Sequence, residues 1–135
     1  MTGGKPRSKA KLWTLDKADA EFSAYIRERD NHTCVRCGKK YLKIDFEKRQ
    51  RGLTNSHFWV RQHKSVRFDP ENCDSLCWRP CHSQHWEKEK QGEYKDFKMK
   101  QLGKSRYKAL ERRARAVCPQ DRAIIACMVL LGALS

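Results

Sequence analysis

Acidic residues and long apolar runs are scarce in this chain, and it lacks a recognisable export signal. Only 16 Asp and Glu stand against 30 Lys and Arg, so the formal net charge is +14 over 135 residues. No stretch reaches the roughly 18 consecutive apolar residues of a membrane-spanning helix. The sequence MTGGKPRSKAK at the start is basic and has no apolar segment of the kind that a secretory signal needs. We therefore expect a cytoplasmic protein with a polyanionic partner such as nucleic acid, because Lys and Arg displace counterions from phosphates.

The apolar content is also low. Hydrophobic residues make up 39 % of the chain, and its length suits one domain with tails. A small domain with a thin core often needs a further cross-link, such as a metal ion or disulfides. The number of cysteines is odd and the export signal is missing, so we expect thiols that bind metal rather than pair with one another. The cysteines are Cys34, Cys37, Cys73, Cys77, Cys81, Cys118 and Cys127.

Residue patterns divide the chain into three parts. Residues 1–13 are a basic tail, residues 14–117 are the domain, and residues 118–135 are an apolar C-terminal tail. We predict a helix over 14–30, where apolar residues recur every three or four positions after Thr14, a capping residue. The apolar segment 123–134 is too short to span a membrane, which leaves a buried helix or an oligomer contact.

Further strands and helices are predicted between these ends. β-branched and aromatic runs predict strands over 41–46, 53–60 and, as the return arm of a hairpin, 61–69. Helical spacing predicts helices over 81–91, 93–103 and 105–117. Gly92 is expected to end the first of these helices, and Pro119 follows the last. The predicted order is helix, cysteine turn, hairpin, second cysteine group and basic helices.

Two short segments concentrate the cysteines. CVRC at 34–37 places two thiols on one turn, and CDSLCWRPC at 73–81 carries three more. Structural zinc takes four ligands, arranged tetrahedrally, from Cys and His. We predict that Cys34 and Cys37 supply the first pair of ligands. Cys77 and Cys81 are predicted as the second pair, with Cys73 and Cys77 as the alternative.

Histidine and asparagine residues are interleaved with these cysteines. His57 lies in the strand predicted over 53–60, Asn72 precedes the second cysteine group, and His82 follows its last thiol. This order of His, Asn and His around a four-cysteine site resembles the HNH, or ββα-metal, nucleases. More narrowly, FSAYIRERDNHTCVRCGK and SHFWVRQHKSVRFDPENCDSLC resemble the NinG/Rap family of phage recombination proteins. The resemblance covers about residues 15–110 and is strongest between Cys34 and Cys81.

The resemblance implies an α+β fold: a small zinc-stapled ββα-metal domain, HNH-like or treble-clef-like, with flanking helices. It also implies a metal-dependent endonuclease that cuts branched DNA in phage recombination, in the cytoplasm of the bacterial host. His57 would be the general base, because imidazole titrates near neutral pH, and Asn72 would hold the hairpin that orients it. His82 would bind a catalytic Mg²⁺ or Mn²⁺ ion, while Zn²⁺ would be structural.

Two positions depart from the expected patterns. Many HNH nucleases carry an Asp metal ligand directly before the first His, where this chain has Ser56, a poor ligand. His82 stands where the narrower family commonly has Asn, although the wider group uses His there. His85, three residues further on, is an additional or alternative ligand for the catalytic cation.

Basic residues accompany all of these motifs. We predict DNA-backbone contacts by Arg61, Lys64 and Arg67 near the hairpin and by Arg112 and Arg113 of the last basic helix. Five lysines would extend this surface into a cradle for two DNA arms: Lys88, Lys90, Lys95, Lys98 and Lys100.

The expected partner is DNA, and branched DNA in particular, together with other phage recombination proteins. A homodimer is also expected, because junction cleavage needs two cuts, and the apolar segment from Ala123 offers a contact. Two alternatives share the zinc and the charge. One is a non-catalytic zinc module that binds DNA and recruits or regulates recombination proteins, with no need for a second cation. The other is a general HNH nicking or packaging nuclease.

Overall fold

The structure, a computed structural model, describes residues 11–42 and 52–134, and in them the chain is mixed α+β. The longer helices are α1 (Leu15–Arg29), a π-type helix (Trp78–Glu89), α2 (Gln91–Arg115) and α3 (Gln120–Leu130). The strands are β1 (Leu53–His57) and β2 (Cys73–Cys77), with single 3-10 turns at Lys64–Val66 and Pro70–Asn72 between them. Across these two ranges, no helix has the length and apolar character needed to cross a membrane.

Helix α1 confirms the helix predicted over 14–30. The Thr14 side chain accepts a hydrogen bond of 3.1 Å from the backbone amide three residues on, which satisfies one of the free amides of the first turn. Ala18, Phe22 and Ile26 follow one another at intervals of one turn and are all buried. The apolar spacing that predicts the helix therefore also forms its packing face.

The apolar C-terminal segment forms helix α3, which packs against α1 of the same chain. Its buried residues are Ala123, Ile124, Cys127 and Met128. The buried helix, one of the two alternatives for this segment, is therefore the arrangement in the structure. Deleting the segment after Pro119 would expose the apolar face of α1, so it would remove core packing together with any oligomer contact.

The two strands pair in antiparallel register, from Leu53 opposite Cys77 to His57 opposite Cys73. Strand β1 lies within the predicted 53–60, but the prediction of a return arm over 61–69 is wrong. The strand that returns is β2, and all five of its residues are buried, two of them polar. A strand covered on both faces need not alternate polar and apolar residues, so CDSLC gives no strand signal.

The helices after the sheet begin and end at other residues than predicted. The π-type helix begins at Trp78, directly after β2, and ends before Lys90, whose backbone (φ −127°, ψ 44°) is not helical. Gly92 lies inside α2 and ends no helix. The separation predicted between 93–103 and 105–117 is present as a break within α2 at Gly103 (φ 79°, ψ 162°), a conformation that glycine adopts readily.

The strand predicted over 41–46 is absent where the structure describes it. Tyr41 and Leu42 are not in a strand, and residues 43–46 lie outside the described residues. Thr33 and Lys40 instead form an isolated antiparallel bridge that closes the cysteine turn.

A buried ion pair connects β2 to α2. Lys98 Nζ lies 2.8 Å from Asp74 Oδ2, and both side chains are fully buried. Tyr94 donates its hydroxyl proton to the same carboxylate at 2.8 Å, and Gln101 Nε2 donates to it at 3.1 Å. The Lys98 ammonium also donates to the Glu71 carbonyl at 2.8 Å. Lys98 is thus a core residue, and its predicted place in a DNA-binding cradle is wrong.

Replacing Lys98 by Met should destabilise the protein strongly. The substitution leaves the Asp74 carboxylate buried without its cation, which typically costs about 3–5 kcal/mol of unfolding free energy. Adding Asp74→Asn should restore part of the loss, because the unpaired charge is then gone. Urea unfolding of the zinc-loaded chain would measure both. Lys100→Met, an exposed lysine on the same helix, is the control, and equal stability of the two lysine variants would contradict the buried pair.

Candidate metal centre and histidine cleft

Four thiols converge beside the sheet. Cys34 and Cys37 lie on the turn after α1, whereas Cys77 ends β2 and Cys81 lies in the π-type helix. The four sulfur atoms are all within 4.8 Å of one another. A hydrogen bond of 2.9 Å from the Val35 amide to a β2 carbonyl docks the turn on the sheet. Two segments that are 40 residues apart in the sequence therefore meet at this cluster.

The cluster fits a tetrahedral metal ion. Zinc–sulfur bonds of about 2.3 Å require sulfur atoms about 3.8 Å apart, and the sulfur atoms of Cys37 and Cys77 are 3.9 Å apart. Burial raises the pKa of the Cys81 thiol, although a contact of 3.4 Å with the Arg36 guanidinium opposes this effect. Thiolates packed this closely need a cation among them. The four cysteines are therefore able to hold a structural metal ion such as zinc.

Cys73, the alternative ligand, lies away from the cluster. Its sulfur is fully buried and contacts the Arg67 carbonyl oxygen at 3.9 Å. Burial, reinforced by the neighbouring Asp74 carboxylate, raises the pKa of this thiol well above its usual value. The pair of thiols next to the cysteine turn is therefore Cys77 and Cys81. Cys73 is not part of the cluster.

A cleft of about 970 Å³ lies between β1, the π-type helix and α2. His57, at the end of β1, and His82, in the π-type helix, both line it. Its basic residues include Arg61, Lys64 and Lys95. Its aromatic residues are Phe58, Trp59, Trp86, Tyr94 and Tyr107. Two imidazoles that are far apart in the sequence thus line one cleft, together with basic residues and with Glu87 and Glu111.

The His57 imidazole is oriented by a main-chain carbonyl. Its Nε2 lies 2.9 Å from the Arg67 carbonyl oxygen. A carbonyl only accepts, so Nε2 carries the proton and Nδ1 keeps its lone pair. Burial lowers the pKa of His57 to about 4, against the smaller opposing effect of this hydrogen bond. His57 is therefore neutral near pH 7 and has one nitrogen able to accept a proton.

Asn72 closes the loop that carries this carbonyl. The side chain is fully buried, and its Oδ1 accepts a hydrogen bond of 2.7 Å from the Trp59 amide. Its Nδ2 donates to the carbonyls of Trp59 at 2.9 Å and Val66 at 3.1 Å. Asn72 therefore joins the start of the loop to the residue directly before Arg67, whose carbonyl orients His57.

The His82 imidazole has the opposite tautomer. Thr54 Oγ1 donates its single proton to the Leu76 carbonyl at 2.9 Å. It must therefore accept from His82 Nδ1, which lies 3.1 Å away. Nε2 keeps its lone pair and lies 3.7 Å from Glu87 Oε2. Burial lowers the pKa of His82, with the Glu87 charge opposing the shift.

His85 is not among the residues that line the cleft. Its Nδ1 lies 4.0 Å from Glu89 Oε2, on the next turn of the same helix. Of the two histidines predicted as cation ligands, His82 is the one that shares the cleft with His57.

Three of the five predicted DNA-binding residues are exposed. Arg61 and Lys64 are exposed and line the cleft, and Arg112 is exposed on α2. The positive charge of Arg61 adds to the burial that lowers the pKa of both His57 and His82. Arg61 therefore lies close to both imidazoles.

The other two predicted DNA-binding residues are engaged within the chain. Arg67 forms a two-pronged ion pair with Asp19 of α1, with distances of 3.0 Å and 2.6 Å. Arg113 pairs with Asp69 at 2.8 Å and with Glu71 at 2.9 Å. Both ion pairs connect helices to the loop between the strands. Part of the positive charge of the chain is therefore paired with carboxylates of the same chain.

Comparisons with known proteins give no relative for this chain. No protein-family model, curated protein or solved structure matches it.

Sequence reasoning missed three residues that shape the site. Asp19 pairs with Arg67, Thr54 sets the tautomer of His82, and Glu87 faces the same imidazole. Asp19 and Thr54 act across long sequence distances and carry no local signal. Glu87 lies five residues after His82, a spacing that places two side chains on one face only in a π-type turn.

We expect one zinc ion per chain. Cys37→Ser should lower the zinc content and the temperature of unfolding, because three thiolates then remain. Metal analysis of the purified chain and thermal unfolding with and without a chelator would measure both effects. Cys118→Ser is the matched control, since Cys118 lies outside the cluster and is half-buried. Equal zinc content in the two variants would rule out the four-thiol site.

The burial of His57 predicts a pH-dependent stability. The pKa of this imidazole is about 4 in the folded chain, against an ordinary histidine value of 6.5 that applies once the chain unfolds. As the pH falls from 6.5 to 4, the unfolded chain takes up a proton that the folded chain does not, so the unfolding free energy decreases. The slope from this one group is at most about 1.4 kcal/mol per pH unit.

His57→Gln tests this dependence, because glutamine keeps a donor for the Arg67 carbonyl but does not titrate. Urea unfolding of zinc-loaded protein at pH 7 and pH 5 should show a smaller loss for the variant than for wild type. The lowered pKa of His82 also decreases the unfolding free energy as the pH falls. The pH dependence of the variant should therefore be smaller than that of wild type but not zero. Identical losses in the two proteins would show that His57 is not buried in its neutral form.

Proposed function

We propose that this protein is a metal-dependent DNA endonuclease of the HNH, or ββα-metal, type. The observation that carries the proposal is the shared cleft: His57 from the end of β1 and His82 from the helix after β2 both line it. The order of strand, strand and helix with cysteines at the junction is the order that the motif resemblance implies. The zinc-stapled ββα interpretation of the fold belongs to this proposal.

His57 is the general base of the proposed reaction. Its Nε2 donates to a main-chain carbonyl and its Nδ1 lone pair is free of that bond. The pKa of about 4 leaves the imidazole unprotonated near pH 7, so Nδ1 is able to accept a proton from an attacking water. A base of this pKa is weaker than the imidazole titrating near neutral pH that the sequence predicts. Asn72 acts as a positioning residue, because it fixes the loop that carries the Arg67 carbonyl.

Two metal ions have different roles in this proposal. The four cysteines would hold structural Zn²⁺, which joins the cysteine turn to β2 and the π-type helix and so fixes His82 relative to the strands. His82 would bind Mg²⁺ or Mn²⁺ through Nε2, the nitrogen that keeps its lone pair. Such a cation, when bound, stabilises negative charge on the phosphate and the leaving oxygen.

The charge of the chain supports DNA as the substrate. Net charge is +14. Arg61 and Lys64 are exposed and line the cleft, and Arg112 is exposed on α2. Contacts of this kind go to phosphates, so binding should depend on salt more than on sequence. Cleavage of branched DNA, action in phage recombination within the bacterial host, a homodimer and recombination-protein partners are proposed from the resemblance to the NinG/Rap family.

The test is cleavage of a four-way junction and a linear duplex of matched sequence, with Mg²⁺ or Mn²⁺. Wild-type protein should cut in the presence of the cation, and His57→Gln should bind with wild-type affinity while its cleavage rate falls by about 10²-fold or more. His63→Asn is the matched histidine control. His63 lies outside the cleft, and asparagine keeps a donor near Nδ1 for its hydrogen bond of 3.1 Å to the Ala114 carbonyl.

The outcomes separate the alternatives. Cleavage by wild type and by His63→Asn, but not by His57→Gln, supports the nuclease. Equal cleavage of the two substrates favours a general nicking or packaging nuclease, whereas preference for the junction favours a role in recombination. If all three proteins bind DNA tightly but none cleaves it with either cation, the result contradicts the enzyme proposal and favours a DNA-binding zinc module.

A further inference from the structure

We propose that Glu87 and His82 together form the divalent-cation site of the cleft, with Glu87 supplying the carboxylate that the sequence pattern lacks at Ser56. The role of this site rests on the proposed nuclease function. Binding of the cation itself can be measured without any cleavage.

Two electron-pair donors face each other in the cleft with no hydrogen bond between them. His82 Nδ1 is committed to Thr54, whose own proton goes to the Leu76 carbonyl, so the lone pair lies on Nε2. That nitrogen is 3.7 Å from Glu87 Oε2, which is too far for a hydrogen bond. A neutral imidazole and a carboxylate in this arrangement are both acceptors, and a cation between them satisfies both.

The helix type is what brings the two side chains together. In an α-helix, residues five apart point about 140° away from each other. The π-type helix closes its hydrogen bonds between residues five apart, so His82 and Glu87 lie about one turn apart on the same face. Both residues line the cleft, whereas His85 and Glu89 of the same helix do not.

The separation of the two donors is close to that of neighbouring ligands on one ion. Two adjacent ligands of an octahedral cation with bonds of about 2.1 Å are about 3.0 Å apart. The Glu87 side chain is 52 % exposed, so its carboxylate is free to rotate through the remaining distance. One carboxylate and one imidazole leave several positions on the ion for water and phosphate oxygens. At phosphate sites Mg²⁺ likewise keeps several waters and takes only one or two carboxylates from the protein.

Ser56 does not take the missing role. Its side chain is 3 % exposed, and its hydroxyl is a weaker metal donor than a carboxylate. Glu87 approaches the same cleft from the π-type helix and supplies the negative charge from the other wall. The imidazole nitrogen favours Mn²⁺ over Mg²⁺, because nitrogen donors suit transition metals better than Mg²⁺.

The experiment is a titration of the zinc-loaded full chain with Mn²⁺, followed by electron paramagnetic resonance of the free ion. Wild type should bind one Mn²⁺ per chain beyond the zinc, and a spin-echo spectrum should show a directly coordinated imidazole nitrogen. Glu87→Gln and His82→Asn should each weaken Mn²⁺ binding by about tenfold or more, and His82→Asn should also remove the nitrogen signal. Asparagine keeps a donor for Thr54, which protects the fold.

Glu89→Gln is the matched control, since this glutamate lies two residues further along the same helix and outside the cleft. Its Mn²⁺ affinity should equal that of wild type. Equal Mn²⁺ affinity in the wild-type, Glu87→Gln and Glu89→Gln proteins would overturn the site. So would a bound Mn²⁺ without the nitrogen signal.

Failure of this site and failure of the nuclease are distinguishable. If Mn²⁺ binding depends on Glu87 and His82 but the protein cuts no DNA, the result supports the cation site and contradicts the nuclease function. If Glu87→Gln changes neither Mn²⁺ binding nor cation-dependent cleavage, the result contradicts the cation site and supports the nuclease function.

Discussion

The convergence of four cysteine sulfur atoms is the constraint on which the rest of this structure depends. It joins a turn after α1 to the end of β2 and to the helix that follows. A two-stranded sheet is only marginally stable alone, and this one is held by the cysteine turn on one side and by the buried Asp74–Lys98 pair on the other. Because His82 directly follows Cys81, the same cluster also sets where the second imidazole of the cleft lies.

Main-chain carbonyls set the tautomers of the two imidazoles in the cleft in different ways. The Arg67 carbonyl accepts directly from His57 Nε2, whereas the Leu76 carbonyl acts on His82 through the Thr54 hydroxyl. One histidine therefore keeps its lone pair on Nδ1 and the other on Nε2. Both imidazoles line the cleft, and in our proposal the free nitrogen of His57 accepts a proton while the free nitrogen of His82 binds a cation.

The large positive charge is divided between the interior of the fold and its surface. Lys98 is buried, and the guanidinium groups of Arg67 and Arg113 pair with carboxylates at 2.6–3.0 Å. These pairs fasten α1 and α2 to the loop between the strands, the loop that orients His57. Arg61 and Lys64 remain exposed beside the cleft. A count of Lys and Arg alone therefore overstates the surface available to a phosphate backbone.

Local patterns by themselves determined helix α1, strand β1, the break at Gly103 and the two cysteine groups, because each depends on residues within one or two turns of chain. The tertiary structure alone decided that β2 is the partner of β1, since a strand covered on both faces shows no alternation. It likewise decided that Lys98 is internal and that Arg67 and Arg113 are paired, because the carboxylates they meet lie 24 or more residues away in sequence. The approach of Glu87 to His82 depends on a π-type turn, which helical periodicity does not anticipate. The sequence thus determined which residue types are available to the candidate site, and long-range packing determined which of them meet.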